Sequence, residues 1–328
     1  MSVCLVLCLF GAPVSATPRG QQVQSPSLES ARQAYEASDY PQAVQILTRA
    51  AAGNPRNAEI HLLLAKTYFE MQSNDSAIAS AARAVQIDPN NSVYHEWLGK
   101  AYGQKAEQAM WFSALSLAKK ARKEFGVAVN LDERNFSAQQ ALIEFDCSAP
   151  GIAGGGEDKA KPEIARLSQL DRAEGYYASG NCRRQKKDFS AADAQFTKAL
   201  EAAPTRAELI FDMGDYAMKR EQPERLSAVA ELGEKVVPPD PRAGFYRGVA
   251  LILRKEQPAK TEQLLRDYLE IAPTRTAYPS RAVTHHWLGR LLEQLGQYRA
   301  ALQEYDAAWK LDPRDKTAKD ALKRLGND

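Results

Sequence analysis

The sequence predicts an all-α solenoid, a row of helix hairpins stacked side by side. Three observations carry that expectation. Small residues recur every 34 positions, at Ala31, Ala65 and Gly99 and again at Gly180, Gly214 and Gly248. In five stretches the small residue is followed by apolar or small positions at steps of 12, 4 and 3. A proline closes each of those stretches 5 residues later, at Pro55, Pro89, Pro204, Pro238 and Pro313. A fixed period of this length marks an array in which each unit buries its apolar face only against its neighbours.

The regular stretches run Ala31–Ala43–Leu47–Ala50, Ala65–Ala77–Ala81–Ala84, Gly180–Ala192–Phe196–Ala199, Gly214–Leu226–Ala230–Gly233 and Gly289–Ala301–Tyr305–Ala308. The leading residue is small because two antiparallel helices cross there and a larger side chain would hold the backbones apart. The bulky residue, Phe196 or Tyr305, is expected to fill the space toward the next unit. The second helix should stop before the proline, since the residue ahead of proline disfavours helical geometry. Asp88-Pro89-Asn90 and Asp312-Pro313-Arg314 then read as turns.

Three units depart from this spacing. In the third, Gly99 and Ala121 are 22 apart, and the extra segment near 104–120 includes Ala109-Met110-Trp111-Phe112. In the fourth, a helix over Phe136–Cys147 and another over Asp158–Leu170 are joined by a Gly-rich loop, 148–157, with Asp158 as N-cap and Pro162 tolerated in the first turn. In the seventh, Gly248 and Thr261 are 13 apart, and a polar insert around Thr274–Arg281 precedes the last unit. Lys316–Leu325 reads as the solvating cap helix such arrays need. About eight hairpins and the cap thus occupy 27–325, leaving 326–328 as a tail.

This register resembles the tetratricopeptide repeat (TPR) family, with its helix–turn–helix unit and its small, aromatic and proline positions. Trp97-Leu98-Gly99 and Trp287-Leu288-Gly289 resemble the family's opening signature, with the tryptophan displaced by two positions. The long third unit and the Gly-rich fourth are similar to those of bacterial envelope TPR proteins without assigned chemistry. The resemblance implies a right-handed solenoid whose first helices line a concave face.

The start of the chain carries its own signal. Val3–Phe10 is apolar but too short to span a bilayer. Gly11, Pro13 and then Val14-Ser15-Ala16 follow, so 1–16 reads as a signal peptide and 17–26 as a linker, although Met1-Ser2 offers no lysine or arginine. Export to the periplasm or the exterior is expected, with no integral span after processing. Cys8 follows Leu7 where a lipoprotein site needs a small residue, so lipidation is not expected. Cys147 and Cys182 fit no zinc spacing. In an oxidising compartment they either pair or sit apart as buried apolar residues.

Composition excludes some functions. The 328 residues are 44% apolar and 26% charged, and 43 basic against 41 acidic residues leave a net charge of +2. No basic surface of the kind nucleic acid selects is indicated. His61, His95 and His285 share one inward slot of the first helix, which explains them by packing. His95-Glu96 lacks the second histidine of a zincin, since Gly99 stands there. Gly156 is followed by Glu157 and Asp158, two anions where a phosphate would lie. No cofactor, metal or catalytic constellation is therefore expected.

The resemblance places the fifth, ninth and twelfth positions of each first helix in the groove. The ninth gives a basic row, Arg32, Lys66 and Lys100, accompanied at the twelfth by Tyr35 and Phe69. The fifth gives an aromatic row, Tyr177, Phe211, Phe245 and His286, and Arg290 completes the surface. Leu28, Leu62, Tyr177 and Phe211 stand where the family's clamp for an acidic C-terminus would need lysine or asparagine, so that clamp is not expected. The function these features suggest is an exported, non-catalytic scaffold that holds a protein or peptide partner in its groove. An alternative is a structural or homo-oligomerising protein that uses Met110-Trp111-Phe112. An enzyme has the least support.

Overall fold

The computed structural model describes residues 28–149, 151, 154–236, 239–313 and 315–326. The expected signal peptide, the linker, Cys8 and Pro238 lie outside them. The described residues form seventeen α-helices and no strand. They pair as eight hairpins: α1 (Leu28–Glu36) with α2 (Tyr40–Gly53), α3 (Ala58–Glu70) with α4 (Asn74–Ile87), α5 (Ser92–Gln108) with α6 (Trp111–Leu131), and α7 (Phe136–Ser148) with α8 (Glu157–Leu170). Then come α9 (Arg172–Gln185) with α10 (Phe189–Ala202), α11 (Ala207–Lys219) with α12 (Pro223–Val236), α13 (Pro241–Arg254) with α14 (Pro258–Ile271), and α15 (Arg281–Gln294) with α16 (Tyr298–Leu311). The helix α17 (Lys316–Leu325) buries Ala318, Ala321 and Leu325 against the last hairpin and caps the array.

Local chemistry sets the boundaries. Asp39, Asn57, Asn91, Asn135, Asp171, Asp188, Asp240, Ser280 and Asp315 each accept a backbone N–H at the start of the following helix, satisfying donors the helix itself leaves free. Pro41, Pro223, Pro241 and Pro258 lie at the first or second position, where proline costs no helical hydrogen bond. At the other end α2, α4, α10 and α16 stop two residues before their prolines.

The turn inside six of the hairpins uses a left-handed residue seven positions after the small residue: Ser38, Gln72, Lys187, Glu221, Lys255 and Gly296, with φ from 50° to 71°. Only Gly296 meets that conformation without a side-chain penalty. Five non-glycine residues hid this turn from the sequence.

The small positions receive aromatic rings. A Cβ on Gly180 would come within 2.4 Å of Phe196, one on Gly99 within 2.6 Å of Phe125, and one on Gly289 within 2.7 Å of Tyr305. The ring therefore covers the glycine of its own hairpin; Phe196 also meets Tyr216 of the next, with centroids 4.8 Å apart. The sixth hairpin has only Ala230 at the ring position. There Tyr246 from α13 fills the space instead, 2.5 Å from a Cβ built on Gly214.

The irregular units resolve in three ways. The extra residues of the third lengthen both helices, to 17 and 21 residues, so its tip carries Met110-Trp111-Phe112. In the fourth, α8 begins at Glu157, with Gly156 rather than Asp158 at the cap, and Glu157 and Asp158 both fall in the first turn. That corrects the expected cap; two acids in the first turn still complement the helix dipole. The loop folds back, Gly156 N–H donating to the Asp146 carbonyl at 2.9 Å. Gly155 is required by contact, since a Cβ there would lie 2.4 Å from the Ala149 oxygen. Cys147 on α7 and Cys182 on α9 are joined as a disulfide, with Cα atoms 5.3 Å apart.

The polar insert 272–280 closes the array on itself. The Tyr40 hydroxyl donates to the Thr274 carbonyl, and Thr274 N–H donates to Ser38 Oγ at 3.1 Å. Arg275 donates to the Glu36 carbonyl at 2.8 Å and also to its carboxylate. Thr276 N–H donates to Glu70 Oε2 at 2.8 Å. The loop before the eighth hairpin thus latches onto the first two.

Candidate partner-binding groove

In the first three hairpins the candidate residues converge on a tryptophan. Lys66 Nζ lies 5.1 Å and Lys100 Nζ 4.7 Å from the centre of the half-buried Trp97 ring. Both are within cation–π range. Phe69 meets the same ring edge-on, with centroids 5.6 Å apart at 89°. Lys100 also pairs with Glu96 at 2.6 Å. Burial pushes Glu96 up, but Lys100 together with hydrogen bonds from Ser137 and Asn135 holds the carboxyl below its usual value. Lys66 is shifted down, first by burial and then by Lys100 and Arg32. Its proton is therefore held less firmly than on a free lysine, and an anion beside it would reverse that shift.

Arg32 is paired with Glu59 across the first and second hairpins. Tyr35 packs at a tilt against Tyr40, centroids 5.8 Å apart, and lies 5.3 Å from the Arg275 guanidinium. It belongs to the latch as much as to the groove. Burial raises its hydroxyl far above the ordinary tyrosine range.

The aromatic row is not continuous. Phe211 and Phe245 are 2% and 0% exposed, so neither ring faces the groove, contrary to the expected alignment. Phe211 lies beneath Arg242, whose guanidinium carbon is 3.9 Å from the ring centre. Phe245 packs on Tyr268 and Tyr246, with centroids 4.8 and 5.4 Å away. The physical cause is the glycine-and-alanine crossings, which draw α11, α12 and α13 close enough to enclose both rings in one core.

Tyr177 is partly buried against the same core, and its hydroxyl donates to Asp212 Oδ2 at 2.7 Å. Asp212 touches solvent yet is ringed by protein. Burial pushes it up to about 6 despite the Tyr177 bond. Asp215, one turn on, accepts from the Tyr246 hydroxyl at 2.7 Å and is also raised by burial. The middle of the groove therefore presents two carboxyl groups where the first three hairpins present Lys66 and Lys100.

At the far end His286 and Arg290 open into a cavity of 490 Å³, shared with Glu293, Tyr305, Asp320 and Arg324. His286 Nδ1 stands 3.6 Å from Asp315. Burial, with Arg290 nearby, lowers its basicity. Arg290 donates to Glu221 at 2.6 Å and lies 4.4 Å from the Trp287 ring centre. The shared histidine slot appears as two matched pairs: His95 with Glu124 at 2.7 Å and His285 with Glu304 at 2.6 Å. His61 instead reaches the Pro55 carbonyl at 3.2 Å. No group of three His, Cys, Asp or Glu side chains that could hold a metal ion occurs among the described residues.

Sequence reasoning missed Trp97 and Asp212 as groove residues. Trp97 had a usable signal, since Lys100 is three residues on along one helix and so shares its face. Asp212 had none, because its contact with Tyr177 depends on how the fifth and sixth hairpins pack.

Comparison with known proteins supports the architecture. Family models described as tetratricopeptide repeat match residues 34–101, and again 173–206 and 282–315. No curated protein matches the chain. Among solved structures, yeast Tom70 superposes with a TM-score of 0.62 at 12% identity, over 97% of this chain and 66% of that one. The Cut9–Hcn1 hetero-tetramer of the APC/C gives 0.51 at 15%, over 93% of this chain and 57% of that one. A thermophilic TPR protein of Thermus thermophilus gives 0.46 at 23%, over 57% and 94%. At such identities the likeness is one of fold, and the fold is one that generally carries protein–protein interactions. Its eight hairpins, its small-residue crossings and the three matched spans show that this chain is built from tetratricopeptide repeats.

Proposed function

We propose that the protein is an exported, non-catalytic scaffold that holds a protein partner through an extended segment laid along its concave face. The observation that carries this reading is the pair of lysines, Lys66 and Lys100, set against Trp97 with Phe69 at its edge. Half-buried aromatics beside cations are the surfaces at which protein partners concentrate binding energy. A segment with an acidic residue next to an apolar one would satisfy both: its carboxylate would pair with Lys66 and offset the burial that loosens its proton, and its apolar group would cover the two rings. Arg32 and Tyr35 extend this surface toward the latch. Tyr177, Asp212, His286 and Arg290 offer a second stretch beyond it. Phe211 and Phe245 serve this surface from beneath, by holding α11 and α13 in place.

Export is supported by the Cys147–Cys182 bond, because disulfides persist in oxidising compartments and are rare in the cytosol. The apolar start of the chain and Val14-Ser15-Ala16 agree with it.

The test is site-specific photo-crosslinking in the native host. A benzoyl-phenylalanine at position 69 should capture a partner, and the same probe on the outward face at Arg83 should not. Equal capture from both positions, or from neither, contradicts the groove reading.

A further inference from the structure

The tip of the third hairpin is the most apolar exposed point of the described chain. Met110, Trp111 and Phe112 are consecutive and 86%, 68% and 85% exposed. No other described stretch puts three large apolar side chains in a row into water. They stand at the turn between α5 and α6, helices of 17 and 21 residues where the regular hairpins use 13 or 14, so the tip projects. Water-exposed Trp and Phe side by side are costly unless something covers them.

Two features select the occupant. The first is size. The three side chains offer roughly 500 Å², taking about 150–250 Å² for each large residue, whereas a stable protein interface needs about 800 Å² from each partner. A projecting point of that area is too small to hold a second copy but is the right size to dip into a bilayer interface. The second is charge. From Ala101 to Lys123 the basic residues are Lys105, Lys119, Lys120, Arg122 and Lys123 and the sole acid is Glu107, a difference of 5 − 1 = +4. Arg122 is taken by Asp146 and Lys105 by Asp75. Lys119, Lys120 and Lys123 are exposed. At 1.5 Å per residue they sit about 12–18 Å up α6 from Trp111. A tip sunk about 5–10 Å into the headgroup–acyl boundary would hold them near the lipid phosphates.

We infer that Met110-Trp111-Phe112 is a membrane anchor: the tip enters the interface of an anionic lipid bilayer, and Lys119, Lys120 and Lys123 bind the headgroups. Trp and Phe favour that interface. Lysines beside an anionic surface add attraction that falls with salt. No described helix is long and apolar enough to cross a membrane, so the contact is peripheral. This surface is separate from the groove, and the inference does not depend on what the groove holds.

The experiment is flotation of the full chain with vesicles, one set of phosphatidylcholine alone and one of equal parts phosphatidylcholine and phosphatidylglycerol. The wild type should float with the mixed vesicles and more weakly with the neutral ones. Trp111→Ser/Phe112→Ser should lose at least tenfold in affinity for both. The triple change Lys119→Gln/Lys120→Gln/Lys123→Gln should lose about tenfold on the mixed vesicles only, and the wild type should approach it at high salt. All these side chains are exposed, so thermal midpoints should stay within a degree or two of wild type. Absence of wild-type flotation, or equal flotation by the Trp111→Ser/Phe112→Ser chain, overturns the inference. So does a wild-type dimer in light scattering that this variant abolishes without any vesicle binding, which would assign the tip to a second copy.

Discussion

The guanidinium of Arg242 lies 3.9 Å from the centre of the Phe211 ring and closes it off from the groove. Arg242 is itself fixed by Asp240 at 2.7 Å and reaches the Tyr278 ring at 4.4 Å. Phe211 is thereby a core residue of the sixth and seventh hairpins. Phe211→Ala should cost about 3–5 kcal/mol of stability, and Phe245→Ala a similar amount. Urea denaturation checks this; stability unchanged to within experimental error would mean the rings are not enclosed.

The disulfide should matter to the whole array. It closes a loop of 35 residues between α7 and α9, and the chain-entropy model assigns about 3–4 kcal/mol to a loop of that length. Cys147→Ser/Cys182→Ser should unfold at lower urea by that margin, and reduction of the wild type should reproduce the loss. Identical curves for oxidised and reduced protein would show that the bond is not formed in solution.

Glu163 predicts a pH dependence. Burial pushes its carboxyl up to about 7, with the neighbouring Asp146 adding to the shift. One of its oxygens is buried without a hydrogen-bond partner. An acid whose folded pKa is raised holds its proton more firmly when folded. Its stabilisation is full below the unfolded value near 4.5 and is lost as pH rises through about 7. Glu163→Gln keeps the neutral form, so it should be more stable than wild type at about pH 8 and nearly equal at about pH 5. The thermal midpoint across that range is the readout. A constant difference between the two proteins would contradict it.

The latch should govern shape more than stability. Arg275, Thr276 and Thr274 bond to Glu36, Glu70 and Ser38 at the surface, where each ion pair is worth about 0–1 kcal/mol. Glu70→Ala/Arg275→Ala should therefore leave helix content and the thermal midpoint almost unchanged while increasing the radius of gyration in small-angle scattering. A superimposable scattering profile would mean the loop does not hold the ends together.

The repeat was legible because it is written in residue size. Gly180 and Phe196, or Gly289 and Tyr305, need each other at one spacing, and the same spacing of small and apolar positions runs through five copies. The capping helix was legible for a related reason: Lys316–Leu325 has one apolar stripe, Ala318, Ala321 and Leu325, set among charged residues. The groove was less legible. The position that is only partly buried in one hairpin, at Tyr177, is fully enclosed in the next two, at Phe211 and Phe245, because enclosure depends on a ring arriving from the following hairpin, as Tyr246 does over Gly214. The latch was invisible for a similar reason. Thr274–Thr276 reads as a polar insert, and its partners lie more than 200 residues earlier in the chain.

The concave surface around Trp97 is where a partner is expected to bind. The most direct measurement is a calorimetric titration of a crosslinked partner's binding segment into wild type, Trp97→Ala and Lys66→Glu/Lys100→Glu. Trp97→Ala should lose at least about 2 kcal/mol, as for an aromatic hot spot. The charge reversal should lose affinity with a weakened salt dependence, and both variants should retain the helix content of the wild type. Wild-type affinity in both variants would contradict that expectation and move the binding surface elsewhere on the solenoid.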